Sequence, residues 1–152
     1  MIEDHLLLKL RYERFVKKVC ETKSLFALES ADGLATSSSH DYEDEEDNPI
    51  PLICFWSEAE LATSCIQSGW QGFEIKRIGL TDFLENWCVG MSGDGYLAGI
   101  NFDSSMLGFE AEPNDLLLDL VTELKYLNAT ISLERFKDLQ DLENQVKKVM
   151  ES

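Results

Sequence analysis

A chain of 152 residues with 29 acidic and 13 basic side chains, net charge -16, is long enough to bury one core and too negative to hold a polyanion. Its 44% hydrophobic content, including 8 Phe, 4 Tyr and 3 Trp, excludes intrinsic disorder. No apolar run nears the roughly 18 residues of a membrane span. Met1-Ile2-Glu3-Asp4-His5 also lacks the basic start and small-residue cleavage site of a secretory leader.

Charge is unevenly placed. Residues 1–23 hold 6 basic and 4 acidic groups, residues 24–129 hold 3 and 20, and residues 130–152 hold 4 and 5. A surface of this sign repels phosphates and anionic lipid, so neither nucleic acid nor membrane is an expected partner, whereas a basic protein is. Cys20, Cys54, Cys65 and Cys88 are far apart and each sits in an apolar stretch. No CxxC or Cys/His pair offers a zinc site, and the expectation is four buried, reduced thiols in a cytoplasmic protein.

In chain order, residues 4–21 read as a helix with Leu8, Tyr12, Phe15, Val16 and Val19 on its core stripe. Leu6, Leu7 and Leu10 lie off that stripe and predict a second neighbour, in the same chain or another subunit. Ser24–Glu29 and Leu34–Ser38 read as two strands joined through Asp32-Gly33, whose pairing suits a tight hairpin. Residues 39–51 read as a polar loop ending on the stiff Pro49-Ile50-Pro51.

Leu52–Trp56 suits a buried strand, and Ser57 with Glu60 has the spacing of a capping box that opens a helix over about 58–68, with Gly69 at its C-cap. Residues 73–78 read as another strand. Thr81 is the expected cap of a helix through Trp87 that stops at Gly90 or Gly93. Asp94-Gly95 predicts a turn, and strands over 96–102 and 107–111 form a second hairpin. Pro113 opens a helix over 114–127, followed by a last helix over 132–150 with Leu139, Leu142, Val146 and Val149 at heptad-like spacing.

The resulting order is α-β-β-β-α-β-α-β-β-α-α. Hairpins outnumber crossovers, which predicts an α+β fold: a mainly antiparallel sheet of about five or six strands packed by helices, with a C-terminal helix pair. One domain is expected over 1–152, with a core of about 4–127 and a helical extension over 128–152.

Asp41, Glu43, Asp44, Glu45, Glu46 and Asp47 are the most conspicuous cluster. A calcium loop needs alternating oxygen ligands and a bend glycine, and residues 39–51 contain no glycine. A solvated connector and a contact for a basic partner are the two readings that remain. His40 beside Asp41, near Ser37–Ser39, makes no catalytic triad by adjacency alone. The glycines at 90–95 lack the strand-to-helix context of a phosphate loop. Trp56, Trp70 and Trp87 are candidates for a pocket, although aromatics at element ends more commonly fill a core. No catalytic, cofactor or metal residue is assigned.

Gly33-Leu34-Ala35, Asp41-Tyr42-Glu43-Asp44, Phe55-Trp56-Ser57, Phe83-Leu84, Trp87, Gly90-Met91, Asp94-Gly95, Gly99-Ile100-Asn101, Gly108 with Glu110, and Glu112-Pro113 occur in one order over roughly residues 11–120. In this the chain resembles a bacterial family catalogued as domain of unknown function 2750. The resemblance implies bacterial origin and a compact α+β fold, and supplies no activity. Residues 121–152 extend beyond it, and the loop 41–47 is more acidic than the family pattern.

The expectation is a non-enzymatic cytoplasmic accessory or interaction domain. An immunity or inhibitor protein with an acidic face against a basic partner is the alternative. An enzyme with a carboxylate in an aromatic-lined cleft is a third reading. A homodimer through Leu6, Leu7 and Leu10, or through the C-terminal helix, is compatible with all three.

Overall fold

The computed structural model describes residues 2–151, with side chains from residue 5 onward, so the leader reading of Met1 to Asp4 falls on residues whose side chains are not described. Helix α1 spans Ile2–Thr22 and strand β1 Ser24–Ser30. β2 is Gly33–Leu34, β3 Thr36–Glu43 and β4 Pro49–Phe55. Helix α2, Ala59–Ile66, is followed by β5, Glu74–Gly79. Helix α3 runs over 80–94, with a π-helical stretch at Phe83–Trp87. β6, Leu97–Ile100, and β7, Phe109–Ala111, precede α4, Pro113–Tyr126, and α5, Leu139–Glu151. No described helix is long and apolar enough to cross a membrane.

The fold is α+β, with two sheets instead of the one expected: β2-β1-β5 and β3-β4-β6-β7. Every pairing is antiparallel except β4 with β6, which run parallel from Leu52↔Leu97 to Phe55↔Ile100. The segment read as one strand over 34–38 changes sheet at Ala35. That residue donates its N–H to Leu28 and accepts the Cys54 N–H, at 2.8 and 3.2 Å. The sheets also meet where Phe26 and Trp56 exchange both backbone hydrogen bonds at 2.8 Å.

Alternate residues of β4 enter different cores. Leu52, Cys54 and Trp56 join a smaller cluster with Leu28, Cys65, Trp70 and Phe102, while Phe55 joins the larger one with α1, α3 and α4. A strand covered on both faces reads as an unbroken apolar run, which is why Leu52–Trp56 was legible.

The polar loop expected over 39–51 is for the most part strand. β3 continues to Glu43, and only residues 44–48 turn. Asp44 Oδ1 accepts the Glu46 and Asn48 N–H groups at 2.8 and 3.0 Å, and Asp47 takes φ +63°. This hydrogen bonding outweighs the repulsion among the carboxylates and folds the segment back. The turn over 103–107 repeats the device. Asp103 Oδ1 accepts the Ser105 and Leu107 N–H groups at 2.9 and 3.2 Å, and Met106 has φ +64°. Aspartate satisfies turn amides in this way wherever a backbone bond is missing.

Two expected caps are corrected. Ser57 does not cap α2, whose N-cap is Glu58 with no side-chain bond, because Ser57 is engaged by Asn101. Thr81 lies inside α3, which starts after Gly79 and passes through Gly90 and Gly93 to stop at Gly95, φ +78°. There a left-handed residue closes the last turn at no side-chain penalty. The last helix starts at Leu139, later than 132, where Asp138 accepts the Asp141 N–H at 2.8 Å. Residues 128–138 pack irregularly instead, and the buried Glu85 carboxylate receives the Arg135 N–H at 2.7 Å.

The C-terminal extension belongs to the core, which therefore does not end near 127. Leu142 and Val146 are buried in the larger cluster, whereas Val149 is 63% exposed. Leu6, Leu7 and Leu10 face outward at 57, 61 and 54%. Leu142→Ala should lower unfolding stability by about 2–4 kcal/mol. Val149→Ala should stay within about 0.5 kcal/mol by urea denaturation. Equal losses would contradict the packing of α5.

Candidate functional site: two faces of helix α1

The parallel strands β4 and β6 end side by side, and the residues just beyond them are tied together. Asn101 Oδ1 accepts the Ser57 N–H at 2.9 Å, Asn101 Nδ2 donates to Ser57 Oγ at 3.2 Å, and the Asn101 N–H donates to the Phe55 carbonyl at 2.9 Å. Asn101 adopts φ +48°, a left-handed conformation that asparagine tolerates better than other side chains. Trp56 Nε1 donates to the Phe102 carbonyl at 2.9 Å. Gly108 gives the Phe102 ring room, since a Cβ there would stand 2.3 Å from its Cδ1 and 2.5 Å from the Ile100 carbonyl oxygen.

Helix α1 crosses above these strand ends. Arg11 donates to the carbonyls of Leu107 at 2.8 Å and Asn101 at 3.3 Å, and pairs with Asp103 at 3.4 Å. Next to this anchor lies a cleft of about 590 Å³ lined by Arg11, Arg14, Lys17 and Lys18 of α1, by Ser57, Glu58, Leu61 and Ser64, and by Asn101–Ser104 with Glu21. Four of the chain's 13 basic residues thus gather in one cavity of an acidic protein. Spacings of three and four residues put Arg11, Arg14 and Lys18 on one helix side.

The other side of α1 faces opposite charge. Tyr12 stacks on Phe109, centroids 4.4 Å apart, and donates its hydroxyl to Asp119 Oδ2 at 2.5 Å. Around this pair lie three adjoining cavities of about 500, 390 and 360 Å³. Tyr12, Phe109 and Asp119 are common to the first two, and Tyr42, Phe109 and Glu110 to the last two. Their walls carry Glu13, Asp41, Glu110, Glu112, Asp115, Asp119 and Glu123, against Lys9, Lys17 and His5 at the α1 edge. None of these seven carboxylates has a salt-bridge partner among the described residues. The groove ends at the base of the acidic hairpin. There Glu110 braces an irregularity in β3, accepting the Ser39 hydroxyl and, at 2.9 Å, the His40 N–H.

The six carboxylates at 41–47 are all exposed on the β3–β4 hairpin, with Asp41 also lining the groove. The three tryptophans do not share a pocket. Trp56 and Trp70 pack edge to face at 5.7 Å inside the smaller core. Trp87 packs on Phe55 at 5.8 Å on the other side of the sheet and lines a shallow cavity of about 330 Å³. Asn101, Tyr12, Phe109 and the basic stripe of α1 are site residues that the sequence reading did not single out. A spacing of 11, 14 and 18 was the available signal for the stripe, whereas nothing local pairs Ser57 with a residue 44 positions away.

The thiols are all free and buried. Burial pushes the Cys20 thiol up to about 12 and raises Cys54, Cys65 and Cys88 above their ordinary value. A thiol that keeps its proton and is shielded from solvent is inert. Native protein should therefore resist iodoacetamide at pH 8, and four thiols should react after denaturation. Rapid native labelling would overturn this assignment. Asn101→Ala should cost about 2–4 kcal/mol, from lost hydrogen bonds and a strained left-handed residue. Asn101→Gly, which removes only the hydrogen bonds, should cost less, and urea midpoints distinguish the two.

No curated protein and no solved structure matches the chain. A family model described as a protein of unknown function (DUF2750) matches residues 12–120, which takes in α1 from Tyr12 onward and the braced hairpin and leaves Arg11 and Glu123 outside. The chain belongs to that family.

Proposed function

We propose that the chain is a non-enzymatic interaction domain that captures a basic protein segment in the acidic groove along α1, α4 and β7. The observation that carries this reading is the seven carboxylates without salt-bridge partners set around the stacked Tyr12 and Phe109. Like charges held this close raise the local negative potential, and a lysine or arginine segment relieves it. The aromatic floor adds attraction for cations over ring faces. The hairpin tip extends the acidic surface beyond the groove, on a turn that Asp44 holds rigid.

The non-enzymatic part rests on the state of the buried thiols and of the groove phenol. The thiols keep their protons, and burial with the neighbouring Asp119 raises the Tyr12 phenol far above its ordinary value, so it stays neutral. The setting we propose is the cytoplasm of a bacterium, where buried reduced thiols are stable. An immunity or inhibitor role is the version of this reading in which the captured surface is the working face of a basic toxin.

The test compares Asp115→Asn/Asp119→Asn/Glu123→Gln with a charge-matched control, Glu60→Gln/Glu74→Gln/Glu134→Gln, for binding of fluorescein-labelled oligolysine by anisotropy. The groove variant should bind about tenfold more weakly and the control should change less than about twofold. Equal losses would show that net charge alone attracts the peptide and would overturn the reading.

A further inference from the structure

We infer that the cleft beyond the ends of β4 and β6 is a second binding site, for a small molecule that bears one oxyanion group, phosphoryl or carboxylate. The cleft lies on the other flank of α1 from the acidic groove, and Lys17 is the one residue that lines both.

Three observations carry the inference. The first is charge against background: in a chain of net charge -16, four cations of one helix, Arg11, Arg14, Lys17 and Lys18, line a single cavity. Two of them are committed, Arg11 to Asp103 and two carbonyls, and Lys18 to Glu58 at 4.0 Å. Arg14 makes no ion pair among the described residues. An arginine free of a carboxylate partner offers a planar fork that matches an oxyanion.

The second observation is how the opposite wall is held. Ser57 is 4% exposed and Asn101 7%, and each fixes the other through two hydrogen bonds. Ser57 Oγ accepts from Asn101, and its own hydroxyl proton has no acceptor among the described residues. A buried hydroxyl in this state has a hydrogen bond to donate into the cavity it lines.

The third is place and size. The lining follows directly on the C-terminal ends of two adjacent parallel strands, the position where ligands settle in sheets with parallel strands. At about 590 Å³ the cavity falls within the range of small-molecule sites. Three acidic residues, Glu21, Glu58 and Asp103, balance most of the positive charge, so the cleft suits one oxyanion and disfavours a polyanion. Leu61, 38% exposed, provides apolar surface for the rest of the ligand.

The experiment is a titration of the folded, isotope-labelled protein with inorganic phosphate and, separately, malonate, each against sodium chloride at equal ionic strength. Amide shifts should saturate and concentrate at Ser57, Glu58 and Asn101–Ser104 with one probe or both. Saturation by phosphate alone assigns a phosphoryl group, and by malonate alone a carboxylate. Arg14→Gln/Lys18→Gln should weaken the saturating probe about tenfold or more. It should leave oligolysine binding at the groove unchanged, so failure of one site is readable apart from failure of the other. Shifts that match chloride for both probes, or saturation that survives Arg14→Gln/Lys18→Gln, would overturn the inference.

Discussion

Trp56 holds the molecule together from a position that belongs to both sheets. Its backbone exchanges two hydrogen bonds with Phe26, its indole N–H donates to Phe102, and its ring is fully buried against Trp70. Truncating its side chain would open a large void in the smaller core and take one of two donors from the Phe102 carbonyl. The positions of Ser57 and Asn101 follow from it, because the strand that ends at Trp56 sets where Ser57 starts. Both faces of α1 are then defined by what the joined sheets place beneath them.

Helix α1 works as a partition. Its core stripe, Tyr12, Phe15, Val16 and Val19, anchors it to the sheets, which leaves one flank above the strand ends and the other above β7. The flanks differ in balance: four cations against three carboxylates line the cleft, and seven carboxylates against Lys9 and Lys17 line the groove. Charges on the two sides are separated by a buried helix core, where screening by salt is weak. Cations massed on one flank therefore reduce the self-repulsion of an acidic protein without neutralising its acidic face.

The α+β class, the two hairpins and the apolar stripes of α1, α4 and α5 were legible because each rests on local periodicity or turn chemistry. The boundaries that failed did so for non-local reasons. Ser57 has the spacing of a cap, yet Asn101 claims it from 44 residues away. Gly90 and Gly93 read as helix stops, but the packing of Cys88 and Met91 in the core carries the helix through them. Consecutive carboxylates suggested an open loop, and the hydrogen bonds to Asp44 decided otherwise. The basic cleft was hidden because its lining comes from three separate parts of the chain.

The crossing of one strand between two sheets at Ala35 also orders the assembly of the protein. The β1–β2 and β3–β4 hairpins are closed by short turns, and such contacts form on the microsecond scale. The parallel pairing of β4 with β6 must wait for α2, β5 and α3 to be laid down between them, and closure of that long loop is the entropically expensive step. Ala35 fixes the two hairpins to each other through its bonds to Leu28 and Cys54, with no help from β6. The edge of β4 is the template on which β6 docks, and the cleft beyond the two strand ends exists only once that parallel pair is made.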